Sequence, residues 1–172
     1  MTAIRVFFPA LILALLFADP LRAEDPLPRQ AILPLTLANE AAAAALEKCE
    51  KDGYKVSVAV VDRAGILKVL LRGDEAGPHT TDSSRKKAYT AASLRRPTSF
   101  FADLITKNPG LTGLRDMNEE ILILGGGLPI VIEGEVVGGI GVGGAPGAHL
   151  DEACAQAGLS HIGATPSRPK EK

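Results

Sequence analysis

Three histidines, two cysteines and a glycine-rich run carry the chemistry that this sequence could perform. His79 follows a glycine-proline loop, His149 opens the last helical stretch, and His161 lies near the C-terminus. A neutral imidazole is a good ligand for haem iron or a divalent metal. A helix start disfavours positive charge, which keeps His149 neutral and able to donate an electron pair. A lone loop histidine such as His79 is equally an ordinary solvated side chain, and His161 reads as inert. Cys49 and Cys154 are too far apart for a CxxC site, and no histidine spacing completes a zinc motif. Spacing leaves them open as a disulfide or as two small buried hydrophobes.

The run Gly139-Ile140-Gly141-Val142-Gly143-Gly144 satisfies GxGxxG, the pattern of a dinucleotide site. Only 28 residues follow it, and no further strand pattern is among them, so a full βαβ unit does not fit. Pro146 and Gly147 also delay the helix that should receive the phosphate. Ser83 and Ser84 lie near His79, but there is no GxSxG elbow to activate a serine. Asp151-Glu152 and Glu119-Glu120 are adjacent acids. Neighbours on a helix point about 100° apart, so neither pair suits shared acid–base work. Asp151 and Glu152 instead suit the first turn of a helix.

These residues need elements to hold them. Thr36 can cap a helix that runs through the alanine run 41–45 to about Asp52, with Gly53 just past its end. Residues 55–62 alternate with Val56, Val58 and Val60 on one side. Asp62-Arg63-Ala64-Gly65 turns the chain, and residues 66–72 return. Residues 73–78 form a loop. His79-Thr80-Thr81-Asp82 offers caps for a helix from about Ser83 to Arg95, which Pro97 stops. Thr98 can cap a shorter helix through Lys107. Residues 108–118 form the longest loop, and 121–124 read as a short strand. Residues 128–133 and 136–142 form a hairpin around Gly134. One face of the return strand carries Val137, Gly139 and Gly141 and lacks bulk. A helix, another subunit or a flat ligand must lie close to it. The order is helix, two strands, two helices, three strands, helix. It predicts one antiparallel sheet, covered by helices on at least one face, rather than a doubly wound parallel one.

Residues 1–23 read as a secretory signal peptide, with Arg5, an apolar run over 6–18 and Ala23 before the cut. The run is short for a membrane span and holds Pro9, so no stable anchor is expected after cleavage. Without these residues, 17 basic and 19 acidic side chains remain. Such a balance, with no basic block beyond Arg85-Lys86-Lys87 and Arg95-Arg96, argues against nucleic acid as a partner. With no tryptophan, the core must come from Val, Ile, Leu and Ala.

The DxxG turn at 62–65, the KAxTAA helix at 87–92 with RPT at 96–98, and the closing GGxPI…GxVVGxIGVGG…DExCAxAG resemble the GlcG/HbpS family of haem-binding proteins, also described as haem-degrading-domain proteins. The resemblance implies an α+β, profilin-like fold: a central antiparallel five-stranded sheet with helices packed around it. Together with the residue patterns at the two ends, it divides the chain into a signal peptide (1–23), a mobile lead-in (24–34), the GlcG/HbpS-like domain (35–160) and a flexible tail (161–172). The signal peptide implies a periplasmic or secreted protein; the resemblance implies that it binds haem or another small molecule, without turnover, and assembles as a homo-oligomer. The alternative is a small-molecule enzyme using a pocket beside the strand from Gly138 to Gly144.

The ligating residue varies among family members; here the loop 73–78 delivers His79 to the start of a helix, which makes it the expected axial metal ligand once the resemblance points to haem. Thr80, Thr81 and Ser83 would hydrogen-bond a propionate, and Arg85 and Lys86 would neutralise its charge. His149 is the other imidazole candidate. Family members often carry serine where Val142 or Gly143 stands here. The fold also implies that the first and last helices pack side by side, which brings Cys49 and Cys154 within bridging reach.

Overall fold

A computed structural model describes Leu27 and residues 29–166 of the chain. The signal peptide read over 1–23 lies outside the described residues. The elements are α1 (Leu35–Lys51), β1 (Ser57–Asp62), β2 (Leu67–Arg72), α2 (His79–Leu94), α3 (Thr98–Lys107), a 3₁₀ stretch (Pro109–Asp116), β3 (Gly127–Ile132), β4 (Glu135–Gly143) and α4 (Ala148–His161).

Two tight turns make the two hairpins. Asp62 accepts the amides of Ala64 and Ile66 on its Oδ1, at 2.9 and 3.0 Å, and so closes the β1–β2 turn. Glu133 and Gly134 both take positive φ, 51° and 81°, as a two-residue hairpin loop requires. The hairpins join through β1 and β4 into an antiparallel sheet of order β2-β1-β4-β3.

The sheet has four strands, not five. The expected strand at 121–124 is irregular, because its backbone groups are engaged elsewhere. The Leu122 amide donates to the Thr90 hydroxyl at 2.8 Å, and the amides of Ile121 and Leu124 close local turns. Ile121 and Ile123 still alternate inward, but into a small cluster with Ile105 and Tyr89 rather than onto a sheet.

One sheet face carries the main core. Ala38, Ala41, Ala42 and Ala45 of α1 and Ala155 and Leu159 of α4 pack on Val58, Val60, Ile140 and Val142. Small side chains let the helix backbones come close, and Gly158 completes this: a Cβ there would sit 2.4 Å from the Ala41 carbonyl oxygen. Cys49 and Cys154 are fully buried in this layer and form a disulfide, with Cα atoms 5.6 Å apart.

The other face takes α2. A Cβ on Gly139 would lie 2.3 Å from the Ala88 carbonyl oxygen, and one on Gly141 would lie 2.1 Å from that of Ser84. The unbulky face of β4 is therefore the seat of a helix. The space is filled, so the pocket expected beside Gly138 to Gly144 is not there, and GxGxxG here serves helix packing.

Three boundaries differ from expectation. Pro34, not Thr36, precedes α1. The second helix begins at His79 rather than Ser83, since the polar run HTTD is already helical after Pro78. Most of the long loop is wound into the exposed 3₁₀ stretch. Past α4 the first residues of the tail are held: Thr165 exchanges two 3.1 Å hydrogen bonds with Val131, and Ala164 is buried.

Candidate functional site

A cleft of about 690 Å³ opens between α3 and α4. Its apolar lining comes from Ala102, Leu124, Gly125, Ala148 and Ala153. His149 and Glu152 project from the first turns of α4, and Asp103 stands on the α3 wall, with Ser99 and Gln156 adding polar groups. Thr98 fixes the floor. Its hydroxyl donates to the Leu124 carbonyl at 2.7 Å and accepts the Gly127 amide at 2.9 Å, which ties the start of α3 to the segment entering β3.

Behind the floor lies a charged pair, Asp151 of α4 with Lys87 from the buried side of α2. Lys87 shares the buried stripe of Ser84, Ala88, Ala91 and Ala92. Its ammonium donates to Asp151 Oδ2 at 2.7 Å and to the Val142 carbonyl at 2.9 Å. Asp151 Oδ1 accepts the Ala145 amide at 3.0 Å. Burial strips water from the Asp151 carboxylate and raises its pKa above the usual carboxylate range, against the pull of Lys87. Asp151 is thus more than a helix-dipole acid. Its signal in the sequence was its partner: a lysine on the apolar stripe of a helix needs a buried counter-charge.

Of the residues expected to hold haem, His149 lines this cleft, and the group around His79 does not. Helix α2 does bring that group together over its first two turns, but most of it is engaged within the fold. Thr80 is buried; its hydroxyl pairs with that of Ser57 at 2.7 Å and lies 2.6 Å from the Gly77 carbonyl. Thr81 donates to the Pro78 carbonyl at 3.0 Å, and Ser83 to the Thr80 carbonyl at 3.3 Å. Arg85 binds Glu120 and, at 3.1 Å, Asp82; Lys86 lies 3.2 Å from the same Asp82. The His79 ring is exposed and folded over Gly77. Among the described residues no three His, Cys, Asp or Glu side chains gather to hold a bare metal ion. No helix among them is long and apolar enough to cross a membrane.

Comparison with known proteins agrees with this architecture. Residues 33–160 match the family described as haem degrading protein HbpS-like. A crystal structure of a double mutant of HbpS from Streptomyces reticuli is 46% identical and superposes with a TM-score of 0.73, covering 83% of this chain and 96% of that one. Protein GlcG of Escherichia coli K12 is 36% identical over 112 residues, 64% of this chain and 81% of GlcG. The crystal structure of a PduOC:haem complex is 26% identical with a TM-score of 0.74, covering 80% of this chain and all of that one.

Proposed function

The chain belongs to the HbpS-like family, and on that premise we propose that it binds haem in the cleft between α3 and α4, outside the cytoplasm, without turning it over. The observation that carries this reading is the cleft itself. At about 690 Å³ it falls within the range of small-molecule sites, and an imidazole stands on an otherwise largely apolar wall. A relative of the same fold is known as a haem complex.

The residues present fit a haem. His149 would offer the iron its imidazole. Ala102, Leu124 and Ala148 would cover the porphyrin face. Ser99 and Gln156 would donate to the propionates. Asp103 and Glu152 are acidic and would repel a propionate placed beside them. Bound haem would supply a redox-active iron; the protein's part is to bind, orient and shield it.

The second reading keeps His79 as the ligand, because its ring is exposed and accepts no hydrogen bond among the described residues. Hemin titration tests the proposal: a saturable Soret shift is expected, and free hemin absorption throughout would overturn it. Incubation of the loaded protein with a reductant in air should leave the band intact if there is no turnover.

Export is supported by the leader-like residues 1–23 and by the Cys49–Cys154 disulfide, which persists in oxidising compartments. Mass spectrometry of the protein from a periplasmic extract should show a chain beginning at Glu24. Self-association is supported by the exposed Leu67 and Leu70 on β2, an edge strand, and by Ile66 beside it. Light scattering should report more than one copy.

A further inference from the structure

Lys87 and Asp151 are the two charged side chains that are buried among the described residues, with side-chain exposures of 2% and 4%. They come from opposite sides of the sheet. The lysine reaches from the middle of α2 past the start of β3 to the first turn of α4. The glycines there make room: a Cβ on Gly126 would lie 2.7 Å from Asp151 Cβ and 3.0 Å from Lys87 Nζ, and one on Gly127 would lie 2.4 Å from the Lys87 carbonyl oxygen. The passage lies directly behind Gly125, which lines the cleft.

A buried ion pair is poor evidence for stability. Its desolvation cost is large, and well-packed apolar residues often replace it without loss. What apolar residues lack is direction. Lys87 Nζ is aimed at both Asp151 and the Val142 carbonyl, and Asp151 also holds the Ala145 amide in the turn before α4. Three segments therefore meet at one carboxylate. In a helix with about 100° between residues, fixing Asp151 fixes the rotation of the first turn. Ala148, His149 and Glu152 on that turn are cleft residues.

We infer that Lys87 and Asp151 are a positioning pair for the ligand cleft: through the first turn of α4 they set where His149 and Glu152 stand. The inference rests on the haem reading for its ligand and on the fold alone for its geometry. The disulfide anchors α4 one turn further on and keeps the helix on α1 without the pair. Loss of the pair should thus release the first turn locally rather than the whole helix.

The test is hydrogen exchange together with hemin dissociation in the full mature chain. Lys87→Met/Asp151→Leu should keep the disulfide and the slow amides of β1 and β4. Its amides at 148–152 should exchange at least ~10-fold faster than wild type, and hemin should dissociate at least ~10-fold faster. Arg63→Ala, which removes a 3.4 Å surface pair with Glu135 at the other end of β4 from the first turn of α4, should change neither. If the double variant does not fold, Asp151→Asn is read by the same two measurements, with the same direction expected. Wild-type exchange at 148–152 in the folded variant overturns the inference. So does uniform acceleration of all slow amides, which marks a purely structural pair. If wild type takes up no hemin, the haem reading fails, and the exchange pattern alone decides the positioning role.

Discussion

Two histidines occupy matching places on two helices. His79 is the first residue of α2 and His149 the second of α4. Each ring folds over the glycine two residues before it: a Cβ on Gly77 or Gly147 would meet the imidazole Cε1 at 2.7 or 2.8 Å. Locally the two are alike. Their surroundings are not. The side chains after His79 bind carbonyls, hydroxyls and carboxylates of the fold itself, whereas His149 stands over a cleft with Ala102, Leu124 and Ala148 in its walls. Spacing provides an imidazole; a site also needs an unfilled apolar surface next to it, and that comes from elements distant in sequence.

The two helices are also held by different means, which allows each to be broken separately. Helix α4 is held covalently. Replacing Cys49 and Cys154 by alanine opens a loop spanning 105 residues and should cost about 4–5 kcal/mol on the loop-entropy model. Denaturant titration measures this, and an unchanged midpoint would mean that the bridge adds nothing to the packing of α1 on α4. Helix α2 is held by close approach. Gly141→Ala drives a methyl into the Ser84 carbonyl, and α2 must lift from β4. Overpacking of this kind costs about 3 kcal/mol. It should lower the thermal midpoint more than Gly110→Ala, where a Cβ meets nothing within 4 Å.

How much of this was legible in the sequence differs between the same two regions. The bare face of β4 announced a close neighbour, because Gly139 and Gly141 alternate with residues of the other face. Only the fold chose a helix among the candidates. The strand expected at 121–124 fails for a different reason. Ile121 and Ile123 alternate inward whether they meet a sheet or two helices, so period-two burial alone could not tell the cases apart. The start of α2 was placed four residues late, since Thr80, Thr81 and Asp82 are good caps and also tolerable helix residues. The cleft was not legible: its walls come from 99–103, 124–125 and 148–156, and nothing in any one of these segments predicts the others. Lys87 was readable in part, as a lysine on an apolar stripe, but its partner lies 64 residues away.

The comparison sharpens most at His149. If the cleft is the haem site, His149→Ala removes the imidazole from its wall and leaves the apolar residues in place. Hemin affinity should fall about 10–30-fold, equivalent to about 1.4–2 kcal/mol, and the Soret band should move as the axial ligand changes. Stability should change little, since the ring is exposed. Retention of both affinity and band position would remove His149 from the site.

The smallest effect is expected at His79, and it decides between the two helix starts. His79→Ala takes away an exposed ring that folds over Gly77. The hydroxyls of Thr80 and Ser83 keep their carbonyl partners, and Arg85 and Lys86 keep their acids, so the first turns of α2 stay as they are. For these residues to receive a propionate, Arg85 would have to leave Glu120 and Asp82, and Lys86 would have to leave Asp82. Each exchange trades one ion pair for another with little net gain. The residues from Gly77 to Asp82 also include no large aliphatic side chain to cover a porphyrin. Hemin affinity of His79→Ala should therefore stay within about twofold of wild type, a difference of about 0.4 kcal/mol, with the Soret band unmoved. If His79→Ala instead loses affinity and shifts the band while His149→Ala keeps both, the ligand belongs to α2. The ion pairs of Arg85 and Lys86 would then have to open on binding, and the salt dependence of hemin affinity would report it.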